Sequence, residues 1–232
     1  MAAISYDSRE ILAEFAQKYS IGYPLLSDRA SEVIRGFGIL NQNMAPELRS
    51  YGVPHPVEYL ISPEGVVVRK YFVPNYQHRV TASTVAFEEF GETAGDAPAV
   101  TLASGALRAQ IGLASPSAFA GQQVSFFARF RLEPGWHIAP PSIVFDSPEL
   151  LRQEVTFPEP EIMSFPVLNE SLPVHSGSFE GRGSLLLRFP LPDGGLILRG
   201  SLSFQLCSET VCEPPQTLPF ELPLTLEPFL KT

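Results

Sequence analysis

Prolines are distributed unevenly along this 232-residue chain, and that distribution limits the secondary structure each part can form. Six of the 23 prolines lie in residues 1–97, and the other 17 follow them. Helices tolerate few internal prolines, whereas β-sheet proteins accommodate them at turns and strand edges. The distribution therefore predicts an α/β segment first and an all-β domain second.

Composition excludes several classes of protein. With 44% hydrophobic and 18% charged residues, the chain can build packed cores and is not disordered throughout. No apolar run approaches the roughly 18 residues of a membrane-spanning helix. The net charge of -9 argues against a nucleic-acid groove or an anionic membrane surface as partner. The first residues lack the regions of a signal peptide, which predicts a cytoplasmic protein if Met1 is the true start.

The first segment, residues 1–90, has patterns typical of helices and one hairpin. Ser8 is a suitable N-cap for a helix whose apolar face carries Ile11, Leu12, Phe15 and Tyr19. Two or three strands with helices are too few for a comfortable sheet. Small polar residues at 91–99 indicate a linker. Further predicted elements are a helix at 31–37, a hairpin of 57–61 with 66–72, and a helix at 82–90.

The second segment, residues 100–232, alternates in the manner of half-buried strands. Even-numbered residues from Val124 to Leu132 are apolar, while Ser125, Phe127, Arg129 and Arg131 alternate with them. The same period recurs at 196–206 and at 220–226, with turn signals between the runs. The pattern predicts a β-sandwich of the immunoglobulin-like kind, with the proline-containing last strand at a sheet edge.

The cysteines of the chain are Cys207 and Cys212. The strand parity places Cys207 away from the core, on the solvent side, which is unusual for an inert cysteine. Four residues separate the pair, and Glu213 with two following prolines then interrupts the strand. We therefore expect a turn that brings the two sulfurs within bonding range, with Cα atoms less than about 7 Å apart.

Loop size and access favour a redox role for this pair. Closing a loop of about six residues removes only about 2 kcal/mol of chain entropy from the unfolded state, so the disulfide contributes little to stability. An accessible pair suits thiol–disulfide exchange, which requires no cofactor. The alternatives are a structural turn disulfide and a metal site, although Cys-x4-Cys is not a common zinc spacing. Glu209 and Glu213 oppose thiolate formation, so the partner supplies the attacking thiolate.

Three stretches of the second segment resemble the amino-terminal periplasmic domain of the DsbD family of thiol–disulfide interchange proteins. They are residues 133–138 (Glu-Pro-Gly-Trp-His-Ile), residues 173–175 with 179–181, and residues 204–215, which hold both cysteines. The resemblance implies an immunoglobulin-like sandwich, a redox-active cysteine pair and a cap loop that shields it. It also implies a periplasmic or exported protein whose partner is a thioredoxin-fold protein or a membrane thiol–disulfide relay.

The same resemblance assigns roles to individual residues. Cys212 corresponds to the attacking or mixed-disulfide thiol and Cys207 to its resolving partner. The cap corresponds to residues 169–176, with Leu172, Val174 and His175 as candidate shields. One interpretation of Trp136 and His137, in the first of these stretches, is a surface that holds a ligand. A turn followed by an aromatic residue in the core is the better interpretation.

The first segment resembles the carboxy-terminal part of the redoxins, the AhpC/TSA or peroxiredoxin-like group with a thioredoxin-like fold. The family's catalytic cysteine lies upstream of this region, so we expect no peroxidase activity and a chain that is a fragment or has a wrongly assigned start. His55 and Pro56 correspond to neighbours of the redoxin active site, and the alternative is a rigid loop before a strand. The matching stretches are residues 4–8, 23–28, 37–41 and 52–61.

Together these patterns predict a partial thioredoxin-like α/β segment followed by an immunoglobulin-like β-sandwich. The predicted function is disulfide exchange with a partner protein through Cys207 and Cys212. One alternative is a non-catalytic binding module with a structural disulfide beside an inactive redoxin fragment. A further alternative is part of a longer peroxiredoxin-like antioxidant protein whose catalytic cysteine is missing from this sequence.

Overall fold

The computed structural model of the protein describes residues 1–42, 45, 47, 51, 53–72, 79–166 and 169–228. The chain divides into two compact units, Met1–Tyr76 and Gln77–Phe229. Among the described residues, no helix has both the length and the apolar character needed to cross a membrane.

The first unit contains the predicted helices and hairpin. Ala3–Ser5 pairs with Leu25–Ser27 in parallel, and Val57–Ile61 pairs with Val67–Phe72 in an antiparallel hairpin. Ser8 caps the first helix by accepting the backbone N–H of Ile11 at 3.4 Å, as predicted. The elements are β1 (Ala3–Ser5), α1 (Arg9–Lys18), β2 (Leu25–Ser27), α2 (Glu32–Gly36), β3 (Val57–Ile61) and β4 (Val67–Phe72).

The apolar face of α1 is only partly buried. Leu12 is 9% exposed, but Ile11 and Phe15 on the same predicted apolar face are 54% and 45% exposed. Strands β1 and β2 have three residues each, and so short a pair offers little surface for a ten-residue helix to cover. The thin sheet expected from the sequence thus limits the burial of the helix.

The second unit is mostly strand, with one helix before the sandwich among its described residues. The prediction of a helix at 82–90 followed by an all-β region is confirmed. The elements are β5 (Arg79–Val80), α3 (Ala82–Phe90), β6 (Ala99–Ser104), β7 (Leu107–Leu113), β8 (Ser117–Ala118), β9 (Gln122–Leu132), β10 (Trp136–Ile138), β11 (Ser142–Phe145), β12 (Leu150–Thr156), β13 (Glu161–Phe165), β14 (Glu170–Ser176), β15 (Ser178–Leu187), β16 (Gly194–Phe204), β17 (Leu206–Ser208) and β18 (Gln216–Leu226).

Two of the sheets pack face to face as an immunoglobulin-like sandwich, as predicted. The front sheet has the order β12-β15-β9-β7-β6, with β5 also paired to β9, and the back sheet has the order β11-β16-β18-β8. The predicted apolar parity is correct, since Phe126, Leu185, Leu198 and Leu222 from both sheets share one buried core. Strand β18 is an edge strand except where its last residues pair with β8.

A third sheet, here called the cysteine sheet, has the order β13-β14-β10-β17. One of its faces contributes Ile138 and Leu206 to the sandwich core. The opposite face carries Cys207, which belongs to a separate small cluster. The cysteine sheet therefore has the main core on one side and the disulfide on the other.

Helix α3 covers part of the outer surface of the front sheet. Phe127, which the parity places away from the core, is 5% exposed because it packs with Phe87 of the helix. Thr84 donates its hydroxyl hydrogen bond to the carbonyl of Gln123 at 2.9 Å. These contacts place α3 in the same compact unit as the sandwich. The domain limits of 1–90, 91–99 and 100–232 stay a prediction.

Candidate functional site

The two cysteines form a disulfide at the end of β17. Cys212 pairs with Cys207 in an antiparallel bridge, and their Cα atoms are 4.0 Å apart. On the other side of the bridge, the carbonyl of Leu206 accepts the backbone N–H of Glu213 at 2.8 Å. The expected turn and the expected proximity of the cysteines are both present.

The side chain of Ser208 organises the turn between the cysteines. Its hydroxyl oxygen accepts the backbone N–H groups of Thr210 at 3.3 Å and Val211 at 3.2 Å. The carbonyl of Val211 in turn accepts the backbone N–H of Ser208 at 2.7 Å. Serine hydroxyls commonly satisfy turn backbone in this way, which explains how four residues can reverse the chain here.

Amide side chains anchor the far end of the turn. Gln205 donates to the carbonyl of Glu213 at 3.0 Å, and Gln216 donates to the Glu213 carboxylate at 2.9 Å. Ser104, at the end of β6, donates to the side-chain oxygen of Gln216 at 2.6 Å. The turn is therefore tied to a strand of the front sheet as well as to its own sheet.

The two sulfurs differ in access. Cys207 is 2% exposed, so the prediction that it lies on the solvent side was wrong about its exposure. The parity prediction was correct in that Cys207 points away from the sandwich core. A second layer of apolar side chains covers this face, and strand parity cannot reveal such a layer. Cys212 is only half-buried.

The covering layer is the pair of strands β13 and β14, here called the cap hairpin (residues 161–165 and 170–176). Phe165 and Val174 are each 1% exposed and form a cluster with Cys207. Met163, Leu172 and Cys212 pack against that cluster while remaining partly exposed. Residues 165, 172 and 174 lie on one face of the hairpin because Phe165 pairs with Glu170 and Met163 with Leu172.

His175 lies on the opposite face of the cap hairpin and does not shield the disulfide cluster. Its ring stacks on Phe179 with centroids 4.4 Å apart, and its side chain is 6% exposed. Its Nε2 atom is buried without a hydrogen-bond partner among the described residues. Desolvation by burial lowers the pKa of His175 from its ordinary value of 6.5, so the neutral ring is favoured.

His137 is a neighbour of the disulfide that sequence reasoning assigned to a turn. In the cysteine sheet it pairs with Cys207 on one side and with Ser176 on the other. Its Nδ1 lies 2.7 Å from the hydroxyl oxygen of Ser176, and its ring meets Phe165 edge-on at 6.0 Å. Trp136 and Ile138, on either side of His137, face the core, and this alternation indicates that His137 faces the other way. The pairing of β10 with β17 could not be predicted from the sequence.

The redoxin-site candidates lie in the first unit. The backbone N–H of His55 donates to the carbonyl of Ile39 at 2.7 Å, and its ring meets Phe72 edge-on at 6.0 Å. Pro56 immediately precedes β3, and within the described chain the cis peptide bond is that of Phe189–Pro190. Neither His55 nor Pro56 belongs to the compact unit that holds the cysteines.

Metal binding finds no support in the part of the chain that the structure describes. No group of three or more His, Cys, Asp or Glu side chains there could hold a metal ion. Disulfide bonding also engages both thiols, which are the strongest metal ligands of the chain.

Comparison with protein families finds two matches in chain order. Residues 1–70 match the AhpC/TSA family. Residues 110–224 match the family described as thiol:disulfide interchange protein DsbD, N-terminal. No curated protein matches the chain significantly.

Solved structures resemble a little over half of the chain. The N-terminal periplasmic domain of ScsB from Proteus mirabilis is 17% identical, with a TM-score of 0.41 over 55% of this chain and 50% of that one. The reduced N-terminal domain of DsbD from Neisseria meningitidis is 18% identical, with a TM-score of 0.33 over 54% of this chain and 82% of that one. The GAE domain of GGA2p from Saccharomyces cerevisiae is 11% identical, with a TM-score of 0.36 over 54% and 97%.

This chain thus spans half the length of the Proteus mirabilis structure it resembles. Likeness at these levels carries no information about activity, and the family matches are the informative comparison. The chain therefore resembles, in order, the AhpC/TSA family over residues 1–70 and the DsbD N-terminal family over residues 110–224.

Proposed function

We propose that the second unit exchanges its Cys207–Cys212 disulfide with a thioredoxin-fold protein. The observation that carries this proposal is a disulfide on a short turn, with one sulfur half-buried, inside the segment that matches a thiol:disulfide interchange family. Exchange needs a sulfur that an incoming thiolate can reach in line with the bond it breaks. Cys212 is the more exposed residue of the pair, and the attack is therefore proposed at its sulfur.

The unequal exposure of the cysteines supports a division of roles. Cys212 is the sulfur that a partner thiolate attacks, and it forms the mixed disulfide. Cys207, at 2% exposure, is the thiolate that leaves when the bond opens, and it is the resolving thiol when the reduced pair passes its electrons to a further disulfide. It stays beside Cys212 throughout, because β17 and the Ser208 turn hold it there.

The cap hairpin supports regulation of access. Leu172 and Val174 belong to a small cluster that is separate from the sandwich core, so this part of the hairpin can open while His175 keeps its stack on Phe179 at the core side. Local opening of this kind costs much less than global unfolding when few apolar contacts are broken. Partner binding then displaces the cap and exposes the disulfide.

The burial of Cys207 favours one alternative, a binding module in which the disulfide only ties the turn. A structural bond is expected to be buried and resistant to reduction. The two functions differ in whether a thioredoxin can open the bond under native conditions.

The trapping experiment uses the oxidised full chain and a reduced thioredoxin whose resolving cysteine is replaced by serine. Its remaining thiolate attacks Cys212, and the complex is quenched with N-ethylmaleimide and separated without reductant. Exchange predicts a mixed disulfide that peptide mass spectrometry maps to Cys212, with Cys207 alkylated. A Cys207→Ser, Cys212→Ser variant is the matched control. Absence of any mixed disulfide would favour the binding module.

The proposed location is an oxidising compartment such as the periplasm. Disulfides persist in such compartments and are rare in the reducing cytosol. There the partner is a thioredoxin-fold protein or a membrane thiol–disulfide relay.

A further inference from the structure

We propose that His137 stabilises the Cys207 thiolate when the disulfide opens, with Ser176 orienting the imidazole; this rests on the proposed exchange function. His137 and Cys207 are directly opposite in the antiparallel pairing of β10 with β17. Side chains of opposite residues point to the same face, with Cβ atoms about 4.5–5.5 Å apart. The imidazole is thus within reach of the sulfur.

Two contacts restrain the imidazole on this face. Its Nδ1 shares a hydrogen with the hydroxyl of Ser176, and the ring edge packs against Phe165 of the disulfide cluster. Within the described chain, Nε2 of His137 has no hydrogen-bond partner, so that nitrogen is available to a new acceptor. A newly formed thiolate is such an acceptor.

The burial of Cys207 creates the need for this stabilisation. A thiolate released beneath apolar side chains is disfavoured by desolvation, and a thiol with a raised pKa is a poor leaving group. Glu209 and Glu213 in and beside the turn add negative charge. A histidine cation next to a thiol is the usual remedy, as it lowers the pKa of the thiol.

The other titratable groups on this face of the cysteine sheet are acidic or are the sulfurs themselves. β13 presents Glu161 and β14 presents Glu170, both exposed and at opposite ends of the cap hairpin. β17 presents Cys207, bonded to Cys212. Among the described residues of these four strands, His137 is the one group on this face that can become a cation.

The exchange step conserves atoms and electrons. A thiolate of a partner dithiol attacks Sγ of Cys212 and forms the mixed disulfide, while the Cys207–Cys212 bond breaks and leaves its electron pair on Sγ of Cys207. The His137 imidazolium holds this thiolate or gives it a proton. The partner's second thiolate then attacks the partner's sulfur in the mixed disulfide and releases Cys212, which takes a proton from solvent. Two electrons pass from the partner dithiol to this chain.

The test measures thiolate formation directly and needs no partner protein. In a full-length Cys212→Ser variant, absorbance at 240 nm against pH reports ionisation of Cys207, with the double serine variant as background. Adding His137→Gln should move the titration to higher pH and lower the thiolate fraction at pH 7 about tenfold. Adding Ser176→Ala instead should move it in the same direction by less, since the ring remains but is less well oriented.

A role limited to packing predicts a different result. It would leave the pH of thiolate formation unchanged in both variants, and that outcome overturns the proposal. Ser176→Ala keeps the test valid if His137→Gln does not fold. Failure of the trapping experiment would reject exchange while leaving this titration intact, so the two proposals can fail separately.

Discussion

The sandwich core and the disulfide cluster lie on opposite faces of the cysteine sheet and differ greatly in size. The sandwich core draws buried side chains from long strands of two sheets. The disulfide cluster has three buried members, Phe165, Val174 and Cys207, and the first two belong to the cap hairpin. Local stability follows the number of buried apolar contacts, so the two faces should respond very differently to the same kind of substitution. The proposed opening of the site in a folded domain depends on this difference.

The largest expected effect is on the core side. Phe126 is 1% exposed, contacts Phe145 with ring centroids 5.0 Å apart, and sits in the middle of β9. Phe126→Ala should lower the free energy of unfolding by about 3–5 kcal/mol, through lost burial and the cavity left behind. Urea denaturation followed by circular dichroism measures it. A loss below about 1 kcal/mol would show that the core does not dominate stability.

Removal of the disulfide should have an intermediate effect. Replacing both cysteines with serine releases a loop of about six residues and should cost about 2 kcal/mol of unfolding free energy. The same urea experiment on the oxidised wild type and the double variant gives the difference. Unfolding of the whole domain in the double variant would show that the fold requires the disulfide, and would contradict the difference in stability between the sandwich core and the disulfide cluster.

A change in the cap hairpin should affect access more than stability. Leu172 is partly exposed and packs on the disulfide cluster, so Leu172→Ala should cost only about 1 kcal/mol. If the whole of that loss lowers the free energy needed to open the cap hairpin, dithiothreitol should reduce the disulfide about five times faster. Ile162→Ala, on the other face of the same strand pair and 72% exposed, is the matched control. Equal reduction rates in all three proteins would show that the cap does not gate the bond.

The smallest expected effect is the pH dependence of stability that arises from His175, which lies on the side of the cap hairpin that faces the core. Burial lowers the pKa of His175, so the unfolded chain binds this proton at higher pH than the folded chain does. Its contribution to stability is complete above pH 6.5 and is lost as the pH falls from there toward the lowered folded value. Stability measured between pH 7.5 and 5.5 should therefore fall with acid, and less so in His175→Phe, which keeps a ring against Phe179.

The carboxyl group of Glu180 sets the lower limit of the pH range for that measurement. Burial raises the pKa of Glu180, but hydrogen bonds from Arg129 and Arg182 outweigh this and hold it below its ordinary value of 4.5. Its stabilising contribution is lost only as the pH falls below 4.5. An equal acid response of wild type and His175→Phe above pH 5.5 would exclude His175 as the source.

The sequence predicted α3 and the long strands β9, β16 and β18 of the second unit because strand parity and helix periodicity are local properties. The helix at 82–90 and the buried residues of β9 follow from spacing alone. Burial of Phe127 was not predicted, because it depends on where α3 packs. In the first unit the exposure of Ile11 and Phe15 likewise depends on how much sheet is present to cover them.

At the candidate site the sequence indicated the turn and the cap region but not how they fit together. Leu172 and Val174 lie on the disulfide side of the cap hairpin, and His175 lies on the other, because strand residues alternate between faces. The burial of Cys207 and the proximity of His137 arise from pairing among β14, β10 and β17. Such long-range register is set by tertiary packing and cannot be read from a single sequence.

The reduction potential of the Cys207–Cys212 bond tests the central claim most directly. Equilibrating the full chain with glutathione buffers, followed by alkylation and mass spectrometry, gives the fraction oxidised at each potential. An exchangeable bond should have a potential above about -300 mV, within reach of thioredoxin-fold partners. A potential below about -300 mV would mark a structural disulfide and contradict the exchange function.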